Sequence, residues 1–200
     1  TYEALDPVRG ITNRSSGKQG YAVAQAAFEA GADVTLISGP TSIKAPYGVK
    51  VVPVVSAEEM NEAVRREATG ADVFVSVAAV ADWRAQTVAD EKIKKSDEPP
   101  TLELMENPDI LAQAAREFPS LYCVGFAAET ENVLENARGK RIRKHARMIV
   151  ANNARSAIGC DMNEAMIVTA DKEVATGHVS KDKLAQTIIE CIAEDLAKEV

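Results

Sequence analysis

Asn13-Arg14-Ser15-Ser16-Gly17-Lys18-Gln19-Gly20 places two hydroxyls and two glycines directly ahead of an Ala-rich stretch with helical spacing. Glycine lets backbone N–H groups turn outward, and the start of a helix favours negative charge, so the segment suits a phosphate or another anion. The plainer alternative is a serine-capped helix with turn glycines. The segment matches neither G-x-x-x-x-G-K-[ST] nor G-x-G-x-x-G, so it is not a P-loop and carries no dinucleotide fingerprint. Val77-Ala78-Ala79-Val80-Ala81-Asp82-Trp83 follows a strand-like run. Small residues beyond a strand's carboxyl end admit a ligand closely, and Asp82 could accept from its hydroxyl or amine. A turn with a solvated aspartate reads equally well.

Two cationic groups stand out. Lys92-Ile93-Lys94-Lys95 could neutralise polyphosphate or simply be solvated. Arg138, Lys140, Arg141, Arg143, Lys144 and Arg147 crowd one helical stretch, where Lys140 and Lys144 lie one turn apart and share a face. Both can point into one anionic site, or the whole face can be solvated. In Gly125-Phe126-Ala127-Ala128-Glu129-Thr130, Phe126 could stack on a base, and Glu129 could cap the next helix or bind a metal. His145 and His178 have no evident partner and read as structural or exposed.

The elements that position these residues alternate. Helices are expected from Gly20 to Ala30 (stopped by Gly31), from a Ser56–Glu59 capping box to Ala68 (ended by Gly70), after Asn107-Pro108-Asp109 with Pro in the first turn, from Thr130 to Ala146, and after a Ser180 cap. Strands are expected at Asp33–Ser38, Val49–Val55, Asp72–Ala78, Leu121–Phe126 and Met148–Ala151, with a hairpin of Ala165–Thr169 and Glu173–Thr176 around Asp171-Lys172. This predicts an α/β fold: three layers, a Rossmann-like, mostly parallel sheet with helices on both faces and a late antiparallel hairpin. The polar stretch from Asp82 to Pro100 is too long for a plain connection and reads as a flap or mobile loop.

Composition narrows the function. Net charge is −7 over 200 residues, and aromatics are 4%, which argues against a nucleic-acid partner. No run approaches the length of a membrane span and no secretory signal is visible. Cys123, Cys160 and Cys191 are widely spaced, with only two histidines in the chain. A zinc site and a disulfide framework are therefore not expected, and the cytoplasm is the expected compartment. Cys123 lies in an apolar run and reads as core.

Leu5-Asp6-Pro7-Val8-Arg9, Ile11-Thr12-Asn13, Ser15-Ser16-Gly17-Lys18, Ala78-Ala79-Val80-Ala81-Asp82, Lys92-Ile93-Lys94-Lys95, Asn107-Pro108-Asp109-Ile110, Gly125 to Thr130 and Lys140-Arg141-Ile142-Arg143-Lys144 are collinear. As an ordered set they resemble phosphopantothenoylcysteine synthetase (phosphopantothenate–cysteine ligase) of coenzyme A biosynthesis. The resemblance implies one synthetase domain over residues 1–200. The family's domain starts with a strand ending in Gly-Pro-Thr, which would lie beside the phosphate loop; here Thr1 matches that Thr, so the expectation is either a truncated or partly resolved domain or a sheet one parallel strand short. In bacteria the domain is usually fused behind a flavin-dependent decarboxylase, a half these residues do not contain.

The implied chemistry is two-step amide synthesis. The carboxylate of 4′-phosphopantothenate attacks the α-phosphate of CTP, pyrophosphate leaves, and the amine of L-cysteine then displaces CMP from the acyl-cytidylate. By resemblance, Asn13 and Lys92 are catalytic, the latter from the flap. Ser15, Ser16, Gly17 and Gly20 hold phosphates, and Arg9 holds the substrate phosphate. Ser76, Val77, Ala78 and Asp82 frame the cytosine nucleotide, with Ala78 also meeting substrate. Pro108, Asp109, Ile110 and Leu111 add contacts, and Phe126, Lys140 and Lys144 pack against and neutralise the nucleotide. Mg²⁺ is expected with the triphosphate, its protein ligands unspecified, and the family works as a homodimer. Two rival readings stand beside this one. An NAD(P)-dependent oxidoreductase would need an acid closing the second strand, where Ser38-Gly39 stands. A non-catalytic nucleotide-binding subunit would bind CTP without releasing pyrophosphate.

Overall fold

The computed structural model describes residues 1–95, 100–129, 131–153 and 162–198. Thr130, Cys160 and the Ser96–Pro99 part of the expected flap lie outside the described residues. In chain order the elements are β1 (Tyr2–Ala4), β2 (Gly10–Thr12), α1 (Lys18–Glu29), β3 (Thr35–Ser38), β4 (Lys50–Pro53), α2 (Ala57–Ala68), β5 (Val73–Ser76), β6 (Trp83–Ala85), β7 (Leu104–Glu106), α3 (Ile110–Glu117), β8 (Tyr122–Glu129), α4 (Val133–Arg143), β9 (Met148–Asn153), β10 (Met162–Val168), β11 (Glu173–Ser180) and α5 (Lys181–Leu196).

The main sheet has the order β11-β10-β9-β8-β5. Strands β5, β8 and β9 run parallel, in register Val73↔Tyr122 and Val124↔Met148, whereas β9–β10 and β10–β11 are antiparallel. The sheet is thus mixed: three parallel strands, with the expected antiparallel hairpin, β10–β11, added at one edge. Sequence alternation explains the layering, because successive side chains of a strand leave on opposite faces. Tyr122, Val124, Met148 and Val150 meet Val23 and Ala26 of α1 and Leu184, Ala185 and Ile188 of α5. Leu121, Cys123, Ile149 and Ala151 meet Leu111 of α3 and Ala137 of α4. Burial pushes the Cys123 thiol up to about 11, as a core thiol requires.

β3 and β4 form a parallel pair of their own, and among the described residues neither joins β5. Two short antiparallel ribbons, β1–β2 and β6–β7, complete the fold. Neither ribbon was expected, because three-residue strands carry no readable alternation.

Local signals set most helix ends. Ser56 Oγ accepts from Glu59 N at 3.2 Å, while the Glu59 carboxylate reaches back one residue further than a capping box does, to Val55 N at 2.7 Å. Buried Glu3 of β1 also accepts from Ala57 N at 3.0 Å, tying α2 to the first ribbon. Ser180 caps α5 through Lys183 N. Helix α1 begins at Lys18, two residues ahead of the expected start, with Gly17 (φ 77°) as its N-cap. Helix α3 begins after Asp109, which is the N-cap itself, so Pro108 stands outside the first turn.

Helices α1 and α4 end in the same way. Gly31 (φ 92°) donates to Phe28 O and Ala32 to Ala27 O, while His145 (φ 53°) donates to Ile142 O and Ala146 to Arg141 O. This paired closure needs a left-handed residue at its centre, which glycine supplies without strain and histidine does not.

The turn of β1–β2 is built on Asp6, whose side chain is fully buried. Burial alone would raise its pKa. Arg9 and the N–H groups of Val8, Ile93 and Arg9 outweigh that and hold the carboxyl well below the usual carboxylate range.

His145→Gly should stabilise the protein by about 0.5–1 kcal/mol, since it relieves the left-handed strain at some cost in unfolded-chain entropy; a rise in urea midpoint at unchanged slope checks it. Asp6 titrates lower folded than unfolded, so its stabilisation is present above about pH 4 and lost as the pH falls through the folded value. Asp6→Asn should be less stable than wild type at pH 7, with the gap narrowing toward pH 3, as urea midpoints at pH 7, 5 and 3 will read.

Candidate functional site

A cleft of about 1560 Å³ opens at the carboxyl ends of β5, β8 and β9 and continues down between β3 and β5. In a parallel sheet the connections all leave from that end, so the loops after β5 and β8 and the starts of α1 and α3 converge there.

One wall is the segment ahead of α1. Asn13 follows β2 directly, and its side chain ties two loops together: Nδ2 donates to Ala79 O beyond β5, and Oδ1 accepts from Ser15 N at 2.9 Å. Ser16 O receives Thr41 Oγ1 at 3.3 Å, which fastens the loop to the segment after β3. Gly17 caps α1 without a side chain, and Ser15 and Ser16 fold over the helix start, their hydroxyls accepting from Gly17 N at 3.5 Å and Lys18 N at 3.4 Å, where they face the cleft with Gly20. Ser76, Val77, Ala78 and Asp82 line the adjoining floor. That floor is held by Asn107, whose Nδ2 donates to Ala81 O at 2.8 Å and whose N–H donates to Asp82 O at 2.9 Å.

The opposite wall is cationic. Lys140 and Lys144 both line the cleft, one turn apart on α4, as their spacing predicts. Lys140 Nζ donates to Phe126 O at 2.7 Å, in the second half of β8. Burial, then the neighbouring Lys144 charge, lower its pKa below the ordinary lysine value. Lys144 pairs with Asp109, whose other oxygen caps α3 through Ala112 N at 3.1 Å. Pro108, Ile110, Leu111 and Phe126 complete this side. The result is a helix start and two lysines facing across one opening, a geometry suited to a multiply charged anion.

Every residue expected to touch nucleotide lines this cleft except Lys92, and Arg9 is also off its wall. Lys92 is exposed. Arg9 was expected to hold a substrate phosphate, but its Nε and Nη2 lie 3.0 and 2.6 Å from Asp6 Oδ2, and Nη2 also donates to Ile93 O at 2.5 Å. Sequence reasoning missed Asn152 and Asn163, which line the cleft joined by a 3.2 Å amide contact. Asn163 is buried, and its only sequence signal is a polar residue at an inward position of β10. Asp6 was also missed. Among the described residues no three His, Cys, Asp or Glu side chains cluster as a metal cage.

The family described as DNA/pantothenate metabolism flavoprotein C-terminal domain matches residues 1–196. The coenzyme A biosynthesis bifunctional protein CoaBC of Vibrio cholerae is 46% identical over 202 residues, covering 98% of this chain and 51% of that protein. CoaBC of Mycobacterium tuberculosis is 46% identical over 212 residues, again 98% of this chain and 51% of that protein. The chain therefore spans about half the length of these curated relatives. A crystal structure of the C-terminal domain of CoaBC superposes with a TM-score of 0.86 at 37% identity, covering 99% of this chain and 92% of that one. A Cab2 mutant in complex with phosphopantothenate-cysteine shares the fold, at a TM-score of 0.80 and 16% identity over 99% of this chain and 84% of that one. With a family match across nearly its whole length and close relatives on either side, the chain belongs to the DNA/pantothenate metabolism flavoprotein C-terminal domain family.

Proposed function

We propose that the chain is a phosphopantothenate–cysteine ligase of coenzyme A biosynthesis, using CTP through an acyl-cytidylate. The observation that carries this reading is the facing of the Asn13–Gly20 segment and the Lys140–Lys144 pair across one cleft. The fold shared with a protein that binds phosphopantothenate-cysteine supports it.

In this reading the triphosphate lies over the start of α1, with Lys140 and Lys144 neutralising charge from the far wall. Lys144 exchanges part of its pairing with Asp109 for phosphate oxygen. The carboxylate of 4′-phosphopantothenate attacks the α-phosphorus, the bond to the bridging oxygen breaks, and pyrophosphate leaves. The cysteine amine then attacks the acyl carbon, loses a proton, and CMP departs. Charge gathers on oxygen in both steps, so positioned donors do the catalysis. Asn13 Nδ2, now on Ala79 O, would turn to the acyl carbonyl, and Lys92 would bring a mobile positive charge from the flap. Mg²⁺ would ride with the triphosphate, since it needs few protein ligands beside phosphate oxygens and water.

Residues 1–200 would act as one domain. Two copies would pair, and the exposed apolar side chains of Trp83, Val88, Leu102, Leu104 and Met105 on and beside the β6–β7 ribbon support this. Free, buried Cys123 and Cys191 fit a reducing cytoplasm.

Pyrophosphate release measured with 4′-phosphopantothenate and Mg²⁺ should occur with CTP and not with ATP, and CMP should form only once cysteine is added; no release with either nucleotide would sink the reading. Asn13→Asp should lower amide formation by about a hundredfold or more with CTP binding retained, and Lys92→Gln should slow the pyrophosphate burst. Sedimentation equilibrium should show a dimer that Leu104→Asp with Met105→Asp converts to monomer.

A further inference from the structure

We infer that Asp6 is a positioning residue for the flap: with Arg9 it clamps the Ile93 peptide from both sides and so fixes the chain that carries Lys92. The inference rests on the reading of Lys92 as a flap lysine that serves the reaction.

The two oxygens of Asp6 do different work. Oδ1 accepts from Val8 N and Arg9 N, both at 2.8 Å, which is an ordinary turn-forming aspartate at the tip of a ribbon. Oδ2 accepts from Arg9 Nε at 3.0 Å, from Arg9 Nη2 at 2.6 Å, and from Ile93 N at 3.0 Å, across 87 positions of sequence. Arg9 Nη2 closes the circuit by donating to Ile93 O at 2.5 Å. Ile93 is therefore held at its N–H by the carboxylate and at its C=O by the guanidinium. Four residues upstream, Ala89 N donates to Leu5 O at 3.0 Å. The Leu5–Arg9 turn thus grips the flap at residues 89 and 93, on either side of Lys92.

The same ribbon continues through β2 to Asn13, roughly 13 Å of extended chain beyond Arg9. One hairpin therefore holds both proposed catalytic groups, Asn13 at its exit and Lys92 at its tip. Only a carboxylate can fill the role of Asp6. It offers acceptors alone, and the site presents five donor contacts; an amide would turn an N–H against them.

The test compares the whole chain with its Asp6→Asn and Ile93→Pro variants; the second removes the flap's N–H and leaves the turn itself intact. Native-state trypsin digestion followed by mass spectrometry reads cleavage after Lys94 and Lys95; the bond after Lys92 is left out because trypsin does not cut before proline. Tyr122→Phe, which removes a hydrogen bond to Asp195 on the far side of the sheet, serves as the control. Losing one buried charge-assisted hydrogen bond should speed cleavage at these sites about tenfold in both variants and leave Tyr122→Phe unchanged. In turnover, Asp6→Asn should lower kcat with KM for CTP nearly constant, and Asp6→Asn with Lys92→Gln should be no slower than Lys92→Gln alone. Cleavage at the wild-type rate in Ile93→Pro overturns the clamp, even where Asp6→Asn fails to fold. Multiplying rather than overlapping effects of Asp6→Asn and Lys92→Gln overturn the positioning role. Full activity of Lys92→Gln would instead discard the catalytic reading of that lysine, leaving the clamp to be judged by cleavage alone.

Discussion

Burial of β8 and β9 on both faces is the constraint from which the rest of the structure follows. Val124, Met148, Ile149, Val150 and Ala151 have no exposed surface. A strand buried on both sides can satisfy its backbone only through the ladder, so its neighbours must be paired along its length. Helices must then cover both faces, α1 and α5 on one and α3 and α4 on the other. Parallel strands joined by such helices release all their connections at one end. The site is what collects there.

The main-chain carbonyl of Phe126 shows how that ladder reaches into chemistry. It sits in the second half of β8, and it fixes the ammonium of Lys140 at 2.7 Å. A neutral acceptor orients the cation without cancelling its charge, whereas Lys144 is paired with a carboxylate. The two lysines are thus unequal. Lys140 is a desolvated, fixed positive charge, and Lys144 is an exchangeable one whose partner Asp109 keeps a second task as the cap of α3. On a chain of net charge −7, this concentration steers anions to one place while the remaining surface repels them.

Sequence was readable where one residue type has one local use. Ser56 and Ser180 cap helices at the expected positions, and Gly31 closes α1. It failed where the same conformation came from an unexpected residue. Gly17 rather than a serine starts α1, and His145 takes the left-handed place at the end of α4. Both ribbons escaped because their pairings are short and their meaning lies in distant contacts, such as Glu3 with Ala57 and Asp6 with Ile93. The binding residues divide in the same way. Residue types and spacing pointed to an anion near Ser15–Gly20 and to a shared face for Lys140 and Lys144, but left solvated alternatives open. It took the collinear resemblance to join them to Ser76–Asp82 and Pro108–Leu111, and the folded chain to put them round one cleft. Asn163 and Asp6 were silent because a buried polar residue is recognised only by its partners.

Arg9 follows from the same reasoning. An arginine beside a phosphate loop invites assignment to phosphate, and its charge and fork geometry suit one. Here Asp6 occupies that fork, from a site where the carboxylate is itself saturated with donors. These contacts use Nε and Nη2, and about half of the Arg9 side chain stays exposed. Through them Asp6 and Arg9 hold the chain at the Ile93 backbone. This fixes where residues 92 to 95 begin while the side chains of Lys92, Lys94 and Lys95 stay exposed.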